Sequence, residues 1–333
     1  MLPRRADRRL TMGPVGRTIL FYNAFWPSVP ESLAGCPGRC RLEFDPRLLP
    51  EADVIVFHIP TLIPPIRVPK YPGQIWVGWS MESDVNYPLL SRKSFMRQFD
   101  LTMTYRRDSD VWTPYFGPRM LDELLSPPRE KIADAPAVYF ASNCRDRSGR
   151  QEYVRELMRH LRVDSYGRCL QNRELPLDRG RETKLEVIAG YKFTLAFENS
   201  ISPDYVTEKF FDPLLAGSVP VYLGAPNVDD FAPGDRCYIR VADFRGPEDL
   251  GRYLRSLNDD ADAFGAYLAW KTTGLRPSFL AMMEHLRIHP VCRLCLASAS
   301  RSDHGEVQPG MWSKARSLQA LGDRVWAALR RRR

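Results

Sequence analysis

The chain has 333 residues, 44% hydrophobic and 26% charged, the balance of a soluble globular protein and longer than one ordinary domain. Its net charge of +8 and pI near 9.2 favour an anionic partner: a phosphorylated ligand, an acidic membrane surface or nucleic acid. Zinc-finger and RNP patterns, internal repeats and apolar runs of ~18 residues are absent, which excludes the recognised nucleic-acid modules and a transmembrane helix.

Residues 1–17, with "RRADRR", form a basic segment without the apolar run of a signal peptide, so no secretion signal is expected. Short apolar runs then end repeatedly in polar residues: "TILFYNAF" (18–25), "ADVIVFHIP" (52–60), "GQIWVGWSME" (73–82) and "LTMTYRR" (101–107). These read as buried parallel strands with flanking helices. The Pro-rich, charged stretch at 126–137 is a linker candidate.

Beyond it the rhythm is cleaner. Strands are expected at 137–142, 162–167, 192–197, 219–225 and 237–244. Helices are expected at 150–161, 181–191, 205–218 and 246–259, with Gly217 ending the third. The division is 18–130 for an N-terminal domain, 131–297 for a C-terminal domain, and 298–333 for a basic amphipathic tail. The fold class is α/β, with two Rossmann-like domains facing across a cleft between strand carboxyl ends.

Seven cysteines include two local pairs, Cys36/Cys40 in "CPGRC" and Cys292/Cys295 in "CRLC". Disulfides in an oxidising lumen, free thiols in the cytosol and a zinc site are the readings left open; the odd count leaves a thiol over.

One strand-to-helix corner is unusually polar, holding Glu198, Asn199, Asp204, Tyr205, Thr207, Glu208 and Lys209. It opens at the end of "FTLAF" and closes at a helix start, where free N–H groups favour a phosphate. The loop "NCRDRSGR" repeats that setting and adds Arg145, Arg147 and Arg150, so two cationic helix starts suit a diphosphate.

With these residues in view, the chain resembles the α-1,3-fucosyltransferases of glycosyltransferase family ten. The motifs that carry it are "WSMES" (79–83), "YRRDSD" (105–110), "SYGRC" (165–169), "YKFTLAFENS" (191–200), "DYVTEKFF" (204–211), "AGSVPVYLGAPNVDDFAPG" (216–234), "WK" (270–271) and "CRLC" (292–295). The resemblance runs from about residue 74 to 297 and leans towards members acting on the N-glycan core. It implies the glycosyltransferase B architecture, with GDP-fucose held by the C-terminal domain. It also implies transfer of L-fucose to a sugar hydroxyl with inversion.

Glu82, at a strand's carboxyl end, is the expected catalytic base. Match with the family places Arg150 and Lys209 on the diphosphate and Asn199, Tyr205 and Glu208 elsewhere in the donor site. Glu198 is ambiguous and reads equally as an organiser of its loop. His58 is a candidate acceptor contact, against the reading of a satisfied buried histidine. The D-x-D of Asp108 and Asp110 reads as structural or acceptor-side, because it lies in the first domain.

The expected enzyme is therefore an inverting α-1,3-fucosyltransferase. Its acceptor is N-acetyllactosamine or the N-glycan core GlcNAc, and no cofactor or metal is required beyond non-essential stimulation by a divalent cation. The alternatives are a transferase for another nucleotide sugar, or an inactive glycan- or nucleic-acid-binding protein. Nucleic acid is not an expected partner; an anionic membrane surface, met by the tail, is. The expected location is cytoplasmic, peripheral at the inner membrane face, with the Golgi lumen as the alternative should a native anchor be missing.

Overall fold

Eleven strands in two parallel sheets organise the chain in a computed structural model that describes residues 16–23, 36, 38–175 and 177–302. The first sheet contains β1 (Arg17–Phe21), β2 (Cys40–Glu43), β3 (Val54–His58), β4 (Ile75–Ser80), β5 (Leu101–Thr104) and β6 (Val111–Trp112), in the order β2-β1-β3-β4-β5-β6. The second contains β7 (Ala137–Phe140), β8 (Val163–Tyr166), β9 (Phe193–Phe197), β10 (Val219–Leu223) and β11 (Ile239–Arg240), in the order β11-β10-β9-β7-β8.

Strands such as "VIVFH" and "IWVGWS" are apolar at nearly every position because both of their faces are covered. In the first sheet Val54, Val56 and Val77 pack on one side, while Ile55, Phe57 and Trp76 pack on the other. The helices are α1 (Lys93–Met96), α2 (Leu121–Leu124), α3 (Arg150–Leu157), α4 (Arg181–Ala189), α5 (Glu208–Ala216), α6 (Pro247–Asp259), α7 (Ala261–Gly265), α8 (Trp270–Thr273), α9 (Pro277–His285) and α10 (Pro290–Ser302). Val154 and Leu157 of α3 with Leu250 and Leu254 of α6 cover one face of the second sheet; Phe210 and Leu214 of α5 lie in a cluster on the other.

Differences from expectation have local causes. The third helix starts at Glu208, not 205, because Tyr205 and Val206 run as buried non-helical chain and the Thr207 side chain caps the first turn. Gly217 ends it in the left-handed conformation, at φ 73°. The strand expected at 237–244 shrinks to β11, since Val241–Asp243 turns into a 3-10 helix.

The cysteines do not pair locally. Cys36 bonds Cys292 and Cys40 bonds Cys295, which displaces the zinc reading for these four, and Cys144 bonds Cys169. Cys237 is the buried free thiol. The two crossed bridges pin α10 onto the first sheet, where Val291 and Leu294 join Ile19, Phe21 and Val77 in one core. Among the described residues, no helix is long and apolar enough to cross a membrane. Most of the basic tail lies outside the described residues.

Candidate active site

The polar corner is built around a carboxylate turned inward. Glu198 extends the ladder by donating its N–H to Leu223 O at 2.7 Å. Its side chain is fully buried, with the Thr207 N–H on Oε1 at 2.8 Å and the Thr207 hydroxyl on Oε2 at 2.9 Å. Burial pushes its pKa up, against the pull of Lys209 3.5 Å away. The neighbouring Gly224 leaves room for this: a Cβ there would stand 2.6 Å from Glu198 Cγ.

Lys209 Nζ is held by Thr207 Oγ1 at 3.0 Å and Glu208 Oε1 at 2.9 Å. Burial works against its charge, but Glu198 and Glu208 outweigh it and raise the pKa. Burial likewise opposes ionisation of Glu208, and Lys209 prevails, holding the carboxyl at about 2. Lys209 thus stands as a fixed ammonium at the start of α5.

Arg150 faces the same place from α3. It is 2% exposed, with Nη1 on Phe197 O at 2.9 Å and Nη2 on Asn143 O at 2.8 Å, while the buried Nε has no partner. The guanidinium ties the carboxyl ends of β7 and β9 together, and its charge and remaining N–H groups are what it brings to an anion. Arg147, left unassigned in the sequence, donates its backbone N–H to Asn199 O at 2.8 Å and Nη1 to Val85 O at 3.0 Å.

Glu82 approaches from the other sheet, just past β4. Ser80 Oγ receives its N–H and donates to its carbonyl, both at 3.0 Å. The carboxylate accepts a hydrogen bond from Tyr205 Oη at 3.3 Å, across 123 positions of sequence. Tyr205 is 2% exposed and lies edge-on to Tyr105 and Tyr115, with centroids 5.1 and 6.0 Å away. Tyr115 also donates to Met81 O, and burial pushes the Tyr115 and Tyr205 hydroxyls up, so both stay protonated donors. In this structure, then, the Tyr205 hydroxyl serves Glu82. Asn199 Oδ1 accepts from Asn86 Nδ2 at 3.0 Å, another link between the sheets.

Six of the seven expected site residues converge: Glu82, Arg150, Asn199, Tyr205, Glu208 and Lys209 line one junction. His58 ends β3, registered against Trp79 of β4, with Nδ1 2.9 Å from Thr61 Oγ1 and a pKa lowered by burial. The D-x-D is structural in its contacts: Asp110 accepts from Thr102, and Asp108 pairs with Arg106. Arg107 beside it pairs with Asp204 at 3.3 Å and Asp230 at 2.8 Å, so "YRRDSD" joins the sheets. Lys271, of no derivable role in sequence, donates to Leu124 O at 2.6 Å, just before the linker. Sequence reasoning missed Tyr115 and left Tyr105 without a role; bulky aromatics beside polar motifs were the available signal.

Comparison with known proteins agrees with this geometry. The family model described as Glycosyltransferase family 10 (fucosyltransferase) C-term matches residues 130–310, and the one described as Fucosyltransferase, N-terminal matches residues 15–116. A 3-galactosyl-N-acetylglucosaminide 4-alpha-L-fucosyltransferase of Homo sapiens is 38% identical over 281 residues, 79% of this chain and 75% of that protein. A 4-galactosyl-N-acetylglucosaminide 3-alpha-L-fucosyltransferase of Pan troglodytes is 38% identical over 273 residues, 77% of this chain and 73% of the relative. A GDP-fucose protein O-fucosyltransferase 3 of Canis lupus familiaris is 39% identical over 224 residues, 63% of this chain and 47% of its own length. A crystal structure of an alpha1,3-fucosyltransferase with GDP-fucose superposes with a TM-score of 0.53 at 16% identity, covering 80% of this chain and 84% of the other.

Proposed function

The chain belongs to glycosyltransferase family 10, the fucosyltransferases, and on that premise we propose that it moves L-fucose from GDP-β-L-fucose to a hydroxyl of a GlcNAc-containing glycan, with inversion to an α-1,3 linkage. The observation that carries this reading is Glu82, set at the carboxyl end of β4 and turned by Tyr205 towards the corner that holds Lys209 and Arg150. In a single displacement, the acceptor oxygen bonds to fucose C1 as the bond from C1 to the GDP oxygen breaks. The acceptor proton passes to Glu82, and the electron pair of the broken bond leaves on GDP. One carboxylate suffices for this direct displacement, because GDP departs without needing a protonated oxygen.

Sugar transfer of this kind builds positive charge on the ring and negative charge on the departing diphosphate. Lys209 and Arg150 are proposed to answer the second. Asn199 is assigned to the phosphates and Glu208 to the ribose or the developing charge on fucose, with Tyr205 shared between donor and base. His58 is proposed on the acceptor side. No metal is required in this proposal, and a divalent cation is given at most a non-essential, stimulating part.

The three disulfides favour an oxidising compartment over the cytosol, so of the two expected locations the lumenal one is proposed. GDP release from GDP-fucose, with EDTA present, tests the reading. N-acetyllactosamine, an N-glycan core and an unglycosylated protein are compared as acceptors, alongside Glu82→Gln. Acceptor-dependent release that Glu82→Gln cuts to a small residual rate is expected. Equal turnover by Glu82→Gln, or release from a UDP-sugar in preference, would remove it.

A further inference from the structure

A ring of polar side chains, hydrogen-bonded to one carboxylate, crosses the junction two residues beyond Glu82. Ser202 Oγ donates to Asp84 Oδ1 at 2.7 Å, Tyr105 Oη donates to the same oxygen at 3.1 Å, and the two hydroxyls are 3.1 Å apart. The Asp84 N–H returns to Tyr105 Oη at 3.3 Å, and Ser91 Oγ donates to Asp84 Oδ2 at 3.1 Å. Tyr105 and Ser202 are nearly inaccessible. Beside the ring, the buried hydroxyls of Ser83 and Ser200 meet at 2.5 Å.

The two sides have different origins. Asp84 belongs to the irregular chain after β4 that carries Glu82; Ser202 belongs to the corner that carries Asn199, Glu208 and Lys209. That chain has no helix or sheet to fix it between Ser80 and the short turn at Pro88–Ser91. Its position is set instead by side-chain bonds, from Ser80, Tyr105 and Tyr115 of its own domain and from Ser200, Ser202 and Asn199 of the opposite one. An ionised carboxylate only accepts, so both hydroxyls must aim at Asp84, and charge-assisted bonds are the stronger kind. Although burial opposes its charge, the bonds from Ser202, Tyr105 and Ser91 and the nearby Arg106 keep Asp84 ionised.

We propose that Asp84 is a positioning residue that, through Ser202 and Tyr105, holds Glu82 at its working distance from the donor corner. The proposal rests on Glu82 being the base. It acts through placement: a displacement of about 1 Å in a reacting group can cost about a hundredfold in rate.

The test uses steady-state GDP release and direct GDP-fucose binding on Asp84→Ala, Ser202→Ala, Asp84→Asn and Glu82→Gln. Asp84→Ala and Ser202→Ala should each lower kcat roughly 10- to 100-fold while leaving the GDP-fucose Kd unchanged. Asp84→Asn, which keeps an acceptor oxygen, should recover most of the rate. On the residual rate of Glu82→Gln, Asp84→Ala should have no further effect, because its influence passes through Glu82. A loss confined to GDP-fucose binding, an unchanged kcat, or a full further loss on the Glu82→Gln background would overturn the proposal. Should Asp84→Ala not fold, Ser202→Ala removes one bond only and carries the same outcomes. The two readings fail separately: normal turnover by Glu82→Gln removes the base itself, whereas a crippled Glu82→Gln beside a normal Asp84→Ala removes only the positioning.

Discussion

Thr207 clasps both oxygens of the Glu198 carboxylate, its N–H at 2.8 Å from Oε1 and its hydroxyl at 2.9 Å from Oε2. The same hydroxyl receives Lys209 Nζ at 3.0 Å. A buried acid, a helix cap and the site's ammonium are therefore one unit, and the sequence alternative in which Glu198 organises its loop is the one its contacts support.

That unit predicts an order of stabilities. Glu198→Ala leaves Lys209 with Glu208 as its one carboxylate and Thr207 with an idle N–H, a loss of about 1–3 kcal/mol by the usual cost of an unsatisfied buried donor. Glu198→Gln keeps the shape and one acceptor, and should cost less. Thermal melts of the two variants decide; equal destabilisation would mean the contacts do not matter.

Gly224 is expected to tolerate no side chain. A Cβ would sit 2.4 Å from Tyr222 Oη and 2.6 Å from Glu198 Cγ, and Tyr222 Oη already accepts the Ala225 N–H at 2.9 Å. Gly224→Ala should cost about 1–3 kcal/mol, as overpacking does, and lower GDP-fucose affinity with it by shifting Glu198. Denaturant midpoints and a binding titration would show both; a neutral Gly224→Ala would mean that the corner yields freely.

Much of this was legible from the chain alone. Strands between covered faces are apolar throughout, so β3, β4, β9 and β10 announce themselves, and concentrated polarity marked the corner from 198 to 209. Partnership across the fold was not. Tyr205 meets Glu82 across 123 residues, and nothing local in "DYVTEKFF" says that its hydroxyl turns to the other sheet. The cysteine pairs misled for the same reason: the spacing of Cys36 and Cys40 looks local, yet each bonds a residue of α10. Strand β2, at "CRLE", is too short and polar to show a period.

The crossed bridges give a non-additive prediction. Their sequence separations are 256 and 255, so each alone closes nearly the same long loop, and once one is formed the other closes only a small ring. Removing one by paired Cys→Ser changes should cost about 3 kcal/mol, the scale for a short loop. Removing both also forfeits the long loop, for roughly 8 kcal/mol in all. Guanidinium unfolding without reductant would check this, and strictly additive single and double losses would contradict it.

Acid should expose the pair at the start of α5. Burial opposes the charge of Glu208, but Lys209 at 2.9 Å and the more distant Lys184 prevail and hold its carboxyl at about 2. A folded pKa below the unfolded value of about 4.3 stabilises the fold above that pH, and the contribution is lost as pH falls towards 2. Glu198 works in the opposite sense: its pKa is raised, so protonation in acid relieves the fold. With 39% of the Glu208 side chain exposed, solvent screens the pair and its contribution is modest. Glu208→Gln should therefore flatten the decline of stability between about pH 4.3 and 2, and leave the profile above pH 6 unchanged. Lys209→Met should return the Glu208 carboxyl towards its ordinary range in a carbon-13 titration, because the counter-charge is gone while the burial stays. A Glu208 that still titrates near 2 in Lys209→Met would assign the effect to Lys184 and the helix start instead.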